Sequence, residues 1–190
     1  MAIRIFIDQG HNPRDFNTGA EGNGFFEQDI TYDIGRLLFA LFADNPEFEA
    51  RLSRPTSDTV LGTNNTTALI ARVERANAFR ADLFLSLHAN ASINPDVSGS
   101  ECLVYSPEST VAVAVSSEIL TQLNEITGLT NRGIFYRPGL YVLRKTAMPA
   151  VLVELGFISN RADAELMAYS PSLFAMAIYR GVLTYYGFLP

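Results

Sequence analysis

Leu83-Phe84-Leu85-Ser86-Leu87-His88-Ala89-Asn90 is the stretch that decides how the rest of the chain is understood. It is a short apolar run bounded by Asp82 and Asn90, which fits a buried central strand better than a helix. His88 then falls at the strand's carboxyl end, the edge at which open α/β sheets hold their ligands. The chain has two histidines. The other, His11, follows a second strand-like run, Ile3-Arg4-Ile5-Phe6-Ile7-Asp8, in the same way. One histidine at a strand end is ordinarily a hydrogen-bonded structural residue. Two with the same address point to a shared site.

Between these strands, Gln9 to Asp15 and the segment holding Gly19, Gly22 and Gly24 have loop character. No Gly-Lys-Ser/Thr ending marks a phosphate loop, so the glycines are expected to be turns. A helix is expected from about residue 27 to 43, with Ile30, Ile34, Leu37, Leu38, Leu41 and Phe42 on one face. Glu27 precedes Ile30 by three and Ile34 by seven, so it shares that sheet-facing side in the first turn. A carboxylate there has an ordinary role as partner of the helix dipole. Facing the sheet, it can also serve as a ligand.

Further strands are expected at Phe48–Ser53, Glu101–Tyr105, Leu140–Arg144 and Ala150–Leu155, with Asn131–Pro138 as loop. Helices are expected at about 66–79, 109–127, 161–168 and 171–186, the second of them closed by Gly128. Glu154 stands at the end of an apolar run, where a carboxylate is costly to bury without a partner. The alternation predicts an α/β fold: a single domain over residues 1–190, with a mostly parallel twisted sheet of about six strands and helices on both faces.

Composition narrows the function. A net charge of −6, with basic residues scattered along the chain, argues against a nucleic-acid partner or an anionic membrane surface. No apolar run approaches the roughly 18 residues of a membrane span. The first residues, Met1 to Asp8, have the character of a strand, so no signal peptide is expected here. Cys102 is the single cysteine and sits in an alternating run, which makes it a structural thiol.

His11, Glu27, His88 and Glu154 are thus all expected at one rim of one sheet. Two histidines and a carboxylate form a standard zinc set with an open fourth position, and a second glutamate supplies the proton acceptor of a zinc hydrolase. The expectation is one Zn2+ per chain, in a catalytic site because no cysteine ligands accompany it.

Over nearly its whole length the sequence resembles the zinc-dependent N-acetylmuramoyl-L-alanine amidases of the amidase-3 family. The matching stretches are IDQGH (7–11), GAEG (19–22) leading to Glu27, and SRPTSD (53–58), then Arg72 with Ala76 and Asn77. The longest are ADLFLSLHAN (81–90) and PAVLVELGFISN (149–160). The resemblance implies that His11, Glu27 and His88 bind the zinc and that Glu154 is the catalytic glutamate. It implies peptidoglycan as substrate, cut between N-acetylmuramic acid and L-alanine, and action at the bacterial cell wall as an autolysin or endolysin. No wall-binding module is expected within the chain. Family members usually place glycines after the first histidine, whereas Asn12-Pro13 follow here, so the shape of this loop is expected to differ. Regulated members carry a long blocking insertion after the strand equivalent to 101–105; here that strand runs almost directly into a helix. Two rival functions are a glycosidase using Glu27 and Glu154, which needs neither histidine, and a wall-binding module without turnover.

Overall fold

The computed structural model of the chain describes residues 2–189. In chain order its elements are β1 (Ile3–Gln9), β2 (Glu21–Gly22), β3 (Phe25–Phe26), α1 (Glu27–Ala43), β4 (Phe48–Leu52), α2 (Asn65–Phe79) and β5 (Leu83–Asn90). There follow β6 (Ser100–Val104), α3 (Thr110–Thr127), β7 (Asn131–Tyr136), α4 (Tyr141–Lys145), β8 (Ala150–Phe157), α5 (Arg161–Tyr169) and α6 (Pro171–Tyr185). β5 and β8 bury almost all of their side chains. That is the composition a strand needs when helices cover both of its faces. They lie side by side at the centre of a six-stranded sheet of order β4-β1-β5-β8-β6-β7. Every neighbouring pair is parallel except β6 with β8.

Side-chain alternation along the strands builds a core on each face. Ile5, Ile7, Leu85, Leu87, Val151 and Val153 pack with Ile34 and Leu38 of α1, Ile119 of α3 and Ile178 of α6. On the other face Phe6, Phe84, Leu103 and Leu152 meet Val73 and Ala76 of α2 and Val142 and Leu143 of α4. Helix ends follow local chemistry. Asn64 and Thr67 form a reciprocal capping box at the start of α2, and Gly128, at φ 76°, closes α3.

The main sheet has the six strands expected, but one of them comes from a different segment. Leu140–Arg144, expected as a strand, forms the short helix α4, and Asn131–Pro138, expected as loop, supplies the edge strand β7. Val142 and Leu143 are adjacent apolar residues in a short segment, a pattern that fits one side of a helical turn as well as a buried strand. β7 has no fully buried side chain and contains Gly133 at φ 95°, so no period-two signal marks it. The segment expected as plain loop before Glu27 contains the small antiparallel hairpin β2–β3.

Because β6 runs against β8, its first residues share the rim with the last residues of β8: Glu101 pairs with Glu154, and Leu103 with Leu152. The connection 105–109 into α3 therefore leaves from the opposite rim. A blocking segment rooted there would have to run back across the sheet. Among the described residues no helix is long and apolar enough to cross a membrane.

Cys102 has no exposed surface and belongs to the core under α3, and burial pushes its thiol well above the ordinary range. Cys102→Ser should cost about 1–3 kcal/mol by placing a hydroxyl there. Chemical denaturation measures the loss, and a change in turnover beyond the folded fraction would contradict a purely structural thiol.

Candidate metal centre

Three separated segments meet at the rim formed by the carboxyl ends of β1, β5 and β8. His11 lies just past β1 and has left-handed backbone, φ 68°. Gly10 donates its N–H to Leu87 O at 3.0 Å, which ties the end of β1 to β5. A Cβ on Gly10 would stand 2.5 Å from Leu87 O and 2.7 Å from His88 Cε1, so only glycine permits this approach. Gly19, expected as a simple turn residue, has a second function. It adopts φ 82°, and a Cβ there would stand 2.8 Å from both Glu27 Oε2 and the His11 ring.

The three side chains converge. Glu27 Oε1 lies 3.0 Å from His11 Nε2 and 2.9 Å from His88 Nδ1, and it accepts the Ala89 N–H at 3.1 Å. Glu27 Oε2 accepts the Ala20 N–H at 2.8 Å. His11 Nδ1 faces the Asn17 carbonyl at 3.2 Å. A carbonyl can only accept, so Nδ1 carries the proton and Nε2 is the atom turned toward Glu27. One donor atom from each of His11, Glu27 and His88 falls within 4.8 Å of the others. Glu27 is buried, while the two histidine side chains keep 19% and 20% of their surface exposed, so the cluster is open on one side. Two imidazole nitrogens and one carboxylate oxygen, without a thiolate, fit a divalent metal such as zinc with a free position.

Glu154 is the fourth residue expected here, and the sheet register delivers it: it pairs with His88 of β5 on one side and with Glu101 of β6 on the other. Its buried Oε2 has no hydrogen-bond partner among the described residues. Burial, reinforced by the charges of Glu27 and Glu101, pushes its carboxyl up to about 8. Glu27 responds in the opposite direction. Burial opposes its ionisation, but the adjacent His11 and His88 rings outweigh it and hold the group well below the usual carboxylate range. Glu101 has its own partners, accepting from Asn90 Nδ2 at 2.9 Å and pairing with Arg132 Nε at 3.0 Å. A larger cavity, about 400 Å³, lies at the opposite rim around Tyr105, Ser109 and Arg144, and none of the four site residues lines it.

Sequence reasoning brought all four residues to the right rim but missed what supports them. Arg72 bonds Asp8 Oδ1 at 2.5 Å, Gln9 O at 2.6 Å and His11 O at 2.5 Å. Asn12, one of the departures from the family pattern, is fully buried and exchanges two 3.0 Å hydrogen bonds with the backbone of Leu61. Nothing in the sequence marked the Asn17 carbonyl, the Ala20 N–H or Glu101 for a part in the site.

The raised Glu154 carboxyl generates a test on metal-free protein. A group near 8 when folded, against an ordinary 4.5, holds its proton in the native state after the unfolded chain has released its own. Its contribution to stability is therefore full below pH 4.5 and is lost as pH rises toward 8. Glu154→Gln cannot titrate, so metal-free variant protein should lose less stability than wild type between pH 5 and 8. Parallel denaturation curves across that range would remove Glu154 as the source of the slope.

The family model described as N-acetylmuramoyl-L-alanine amidase matches residues 5–184. The N-acetylmuramoyl-L-alanine amidase LytC of Bacillus subtilis (strain 168) is 34% identical over 187 residues, covering 96% of this chain and 35% of LytC. The N-acetylmuramoyl-L-alanine amidase CwlM of Bacillus licheniformis is 34% identical over 183 residues, covering 94% of this chain and 65% of CwlM. The chain thus spans between about a third and just under two thirds of these relatives. Among solved structures, the catalytic domain of the N-acetylmuramoyl-L-alanine amidase CwlV from Bacillus (Paenibacillus) polymyxa var. colistinus superposes with a TM-score of 0.84. It is 30% identical, and the match covers 97% of this chain and 98% of that one. The chain belongs to the amidase-3 family of N-acetylmuramoyl-L-alanine amidases.

Proposed function

We propose that the chain hydrolyses the amide between the lactyl group of N-acetylmuramic acid and the L-alanine of the peptidoglycan stem. In this mechanism His11, Glu27 and His88 hold one zinc ion and Glu154 is general base and then general acid. The observation that carries it is the convergence of His11, Glu27 and His88 donor atoms beside an unpartnered buried carboxylate. A bound zinc ion would polarise the scissile carbonyl and lower the pKa of water toward about 7.

The chain's own residues supply the rest. The Asn17 carbonyl orients the His11 ring, and the Ala20 and Ala89 N–H groups orient Glu27. These contacts fix where the carbonyl and the attacking water meet. Glu154, buried beside the cluster with no hydrogen bond to its Oε2, has an oxygen free to receive a proton. It takes the proton of the attacking water and passes it to the leaving amine nitrogen, work worth about 10²–10⁴ in rate. The peptidoglycan substrate places the activity at the bacterial cell wall, in the manner of an autolysin or endolysin.

A glycosidase needs two carboxylates free to exchange protons. Glu27 has both oxygens engaged by backbone N–H groups and its Oε1 by both histidines, which unsuits it to that part. A binding module has no need of an unpaired buried carboxylate, which costs stability.

Purified protein should contain one zinc per chain and release new amino groups on L-alanine, without new reducing ends, from peptidoglycan. New reducing ends in place of amino groups would establish the glycosidase instead. His11→Ala and His88→Ala should each lose metal and activity together, as read by metal analysis, and full zinc in either variant would remove that residue from the ligand set.

Glu154→Gln should keep its fold and zinc while turnover falls by roughly 10² or more. Metal content and peptidoglycan turnover measured on one preparation decide this, and near-normal turnover in a zinc-loaded variant would sink the proton-shuttle role.

A further inference from the structure

Arg54 lies in the SRPTSD stretch, for which the proposed chemistry has so far no use. Its side chain is almost completely buried, at 1% exposure. Arg72, the neighbouring buried arginine, is paired with Asp8. Arg54 makes no ion pair with any carboxylate among the described residues. It donates instead to three backbone carbonyls: Gln28 O at 2.9 Å, Ser57 O at 3.3 Å and His11 O at 3.4 Å. Its guanidinium lies 5.3 Å from the Tyr32 ring centroid, and its buried Nε has no partner. Burial, together with the charge of Arg72, pulls Arg54 down to about 10. A buried cation without a carboxylate partner works against stability.

The identity of the acceptors accounts for its presence. His11 O already receives Arg72 Nη2, and Gln28 O lies in the first turn of α1, where carbonyls accept from the helix's own N–H groups, so neither depends on Arg54 for satisfaction. Among the described residues Arg54 alone joins the two. One carbonyl belongs to the first histidine of the metal centre and the other to the residue directly after Glu27. The His11 peptide also stands in left-handed backbone, which is strained for a non-glycine residue and must be held by its contacts.

We infer that Arg54 is a positioning residue for the metal centre: its Nη1, held in place by the bond from Nη2 to Ser57 O, braces the His11 peptide against the first turn of α1 and fixes the separation of the His11 and Glu27 donor atoms. The inference rests on the metal-binding function proposed above. Arg54's own charge takes no part in the hydrolysis.

The test compares wild type with Arg54→Met and Arg54→Lys. Zinc dissociation constants are measured by competition with a chromophoric chelator, well below the melting temperature, and each metal-free protein is melted alongside. Met removes the unpaired charge, and Lys keeps it on a side chain that ends one bond short of the Nη1 position and has no second nitrogen for Ser57 O. Both variants should bind zinc about 10–100-fold more weakly, the range found for groups that orient metal ligands. Metal-free Arg54→Met should melt no lower than wild type by more than a few degrees. A merely structural arginine gives the reverse, a lower metal-free melting temperature with an unchanged zinc constant, and that result would overturn the inference. Should Arg54→Met fail to fold, Arg54→Lys decides: wild-type affinity overturns the brace and weakened affinity upholds it. Wild-type protein that bound no zinc would overturn the metal function along with it, whereas equal binding by all three proteins overturns the brace alone.

Discussion

The ion pair between Asp8 and Arg72 is the constraint on which the rest of the rim depends. Asp8 points from β1 into the face covered by α2, where burial opposes its ionisation and the adjacent Arg72 charge, with hydrogen bonds from Arg72 and Ser86, outweighs that cost. The same guanidinium takes the carbonyls of Gln9 and His11, the last acceptors of β1 as the chain leaves the sheet. One buried cation thus satisfies groups that would be orphaned at a strand end, and it does so just where His11 must turn back toward Glu27. Removing one partner of such a pair costs about 3–5 kcal/mol, since the other charge is left buried alone. The interaction serves both the sheet and the site.

Much of this was legible in the sequence, for physical reasons that differ from residue to residue. β1, β5 and β8 are short apolar runs each leading to one odd polar residue, and burial on both faces leaves that composition little alternative. His11, His88 and Glu154 are conspicuous because they end those runs. Glu27 could be placed because helical periodicity put it on the sheet-facing side of α1. Where burial is partial, the signal fades: β7 at the sheet edge and α4 beside it exchanged identities for lack of a long enough period. The direction of β6 is likewise invisible, because apolar alternation is the same in either sense.

The supporting groups were hidden for another reason. Ala20, Ala89 and Asn17 act through backbone atoms, which every residue possesses, so composition cannot flag them. Asn12, where the resemblance to the family leads one to expect glycine, stands directly beside the cluster. Its amide imitates a strand partner for Leu61, anchoring the chain after His11 to the loop before α2 in a way that glycine, lacking a side chain, cannot. The departure therefore comes with its own compensating contact. The hairpin β2–β3 is held similarly, through Asn23 Nδ2 on Ile158 O at 2.8 Å.

The sheet order also bears on how the molecule comes into being. β5 and β8 are neighbours at its centre, yet β8 begins at residue 150, after β6, α3, β7 and α4 have been made. Until it docks, β5 presents an unpaired apolar edge, and β6 and β7 have no place in the sheet. A nascent or truncated chain that stops before β8 is exposed to self-association. His88 and Glu154 become neighbours in that same docking step. The last central strand in chain order thus fills the core and brings Glu154 beside His88 together.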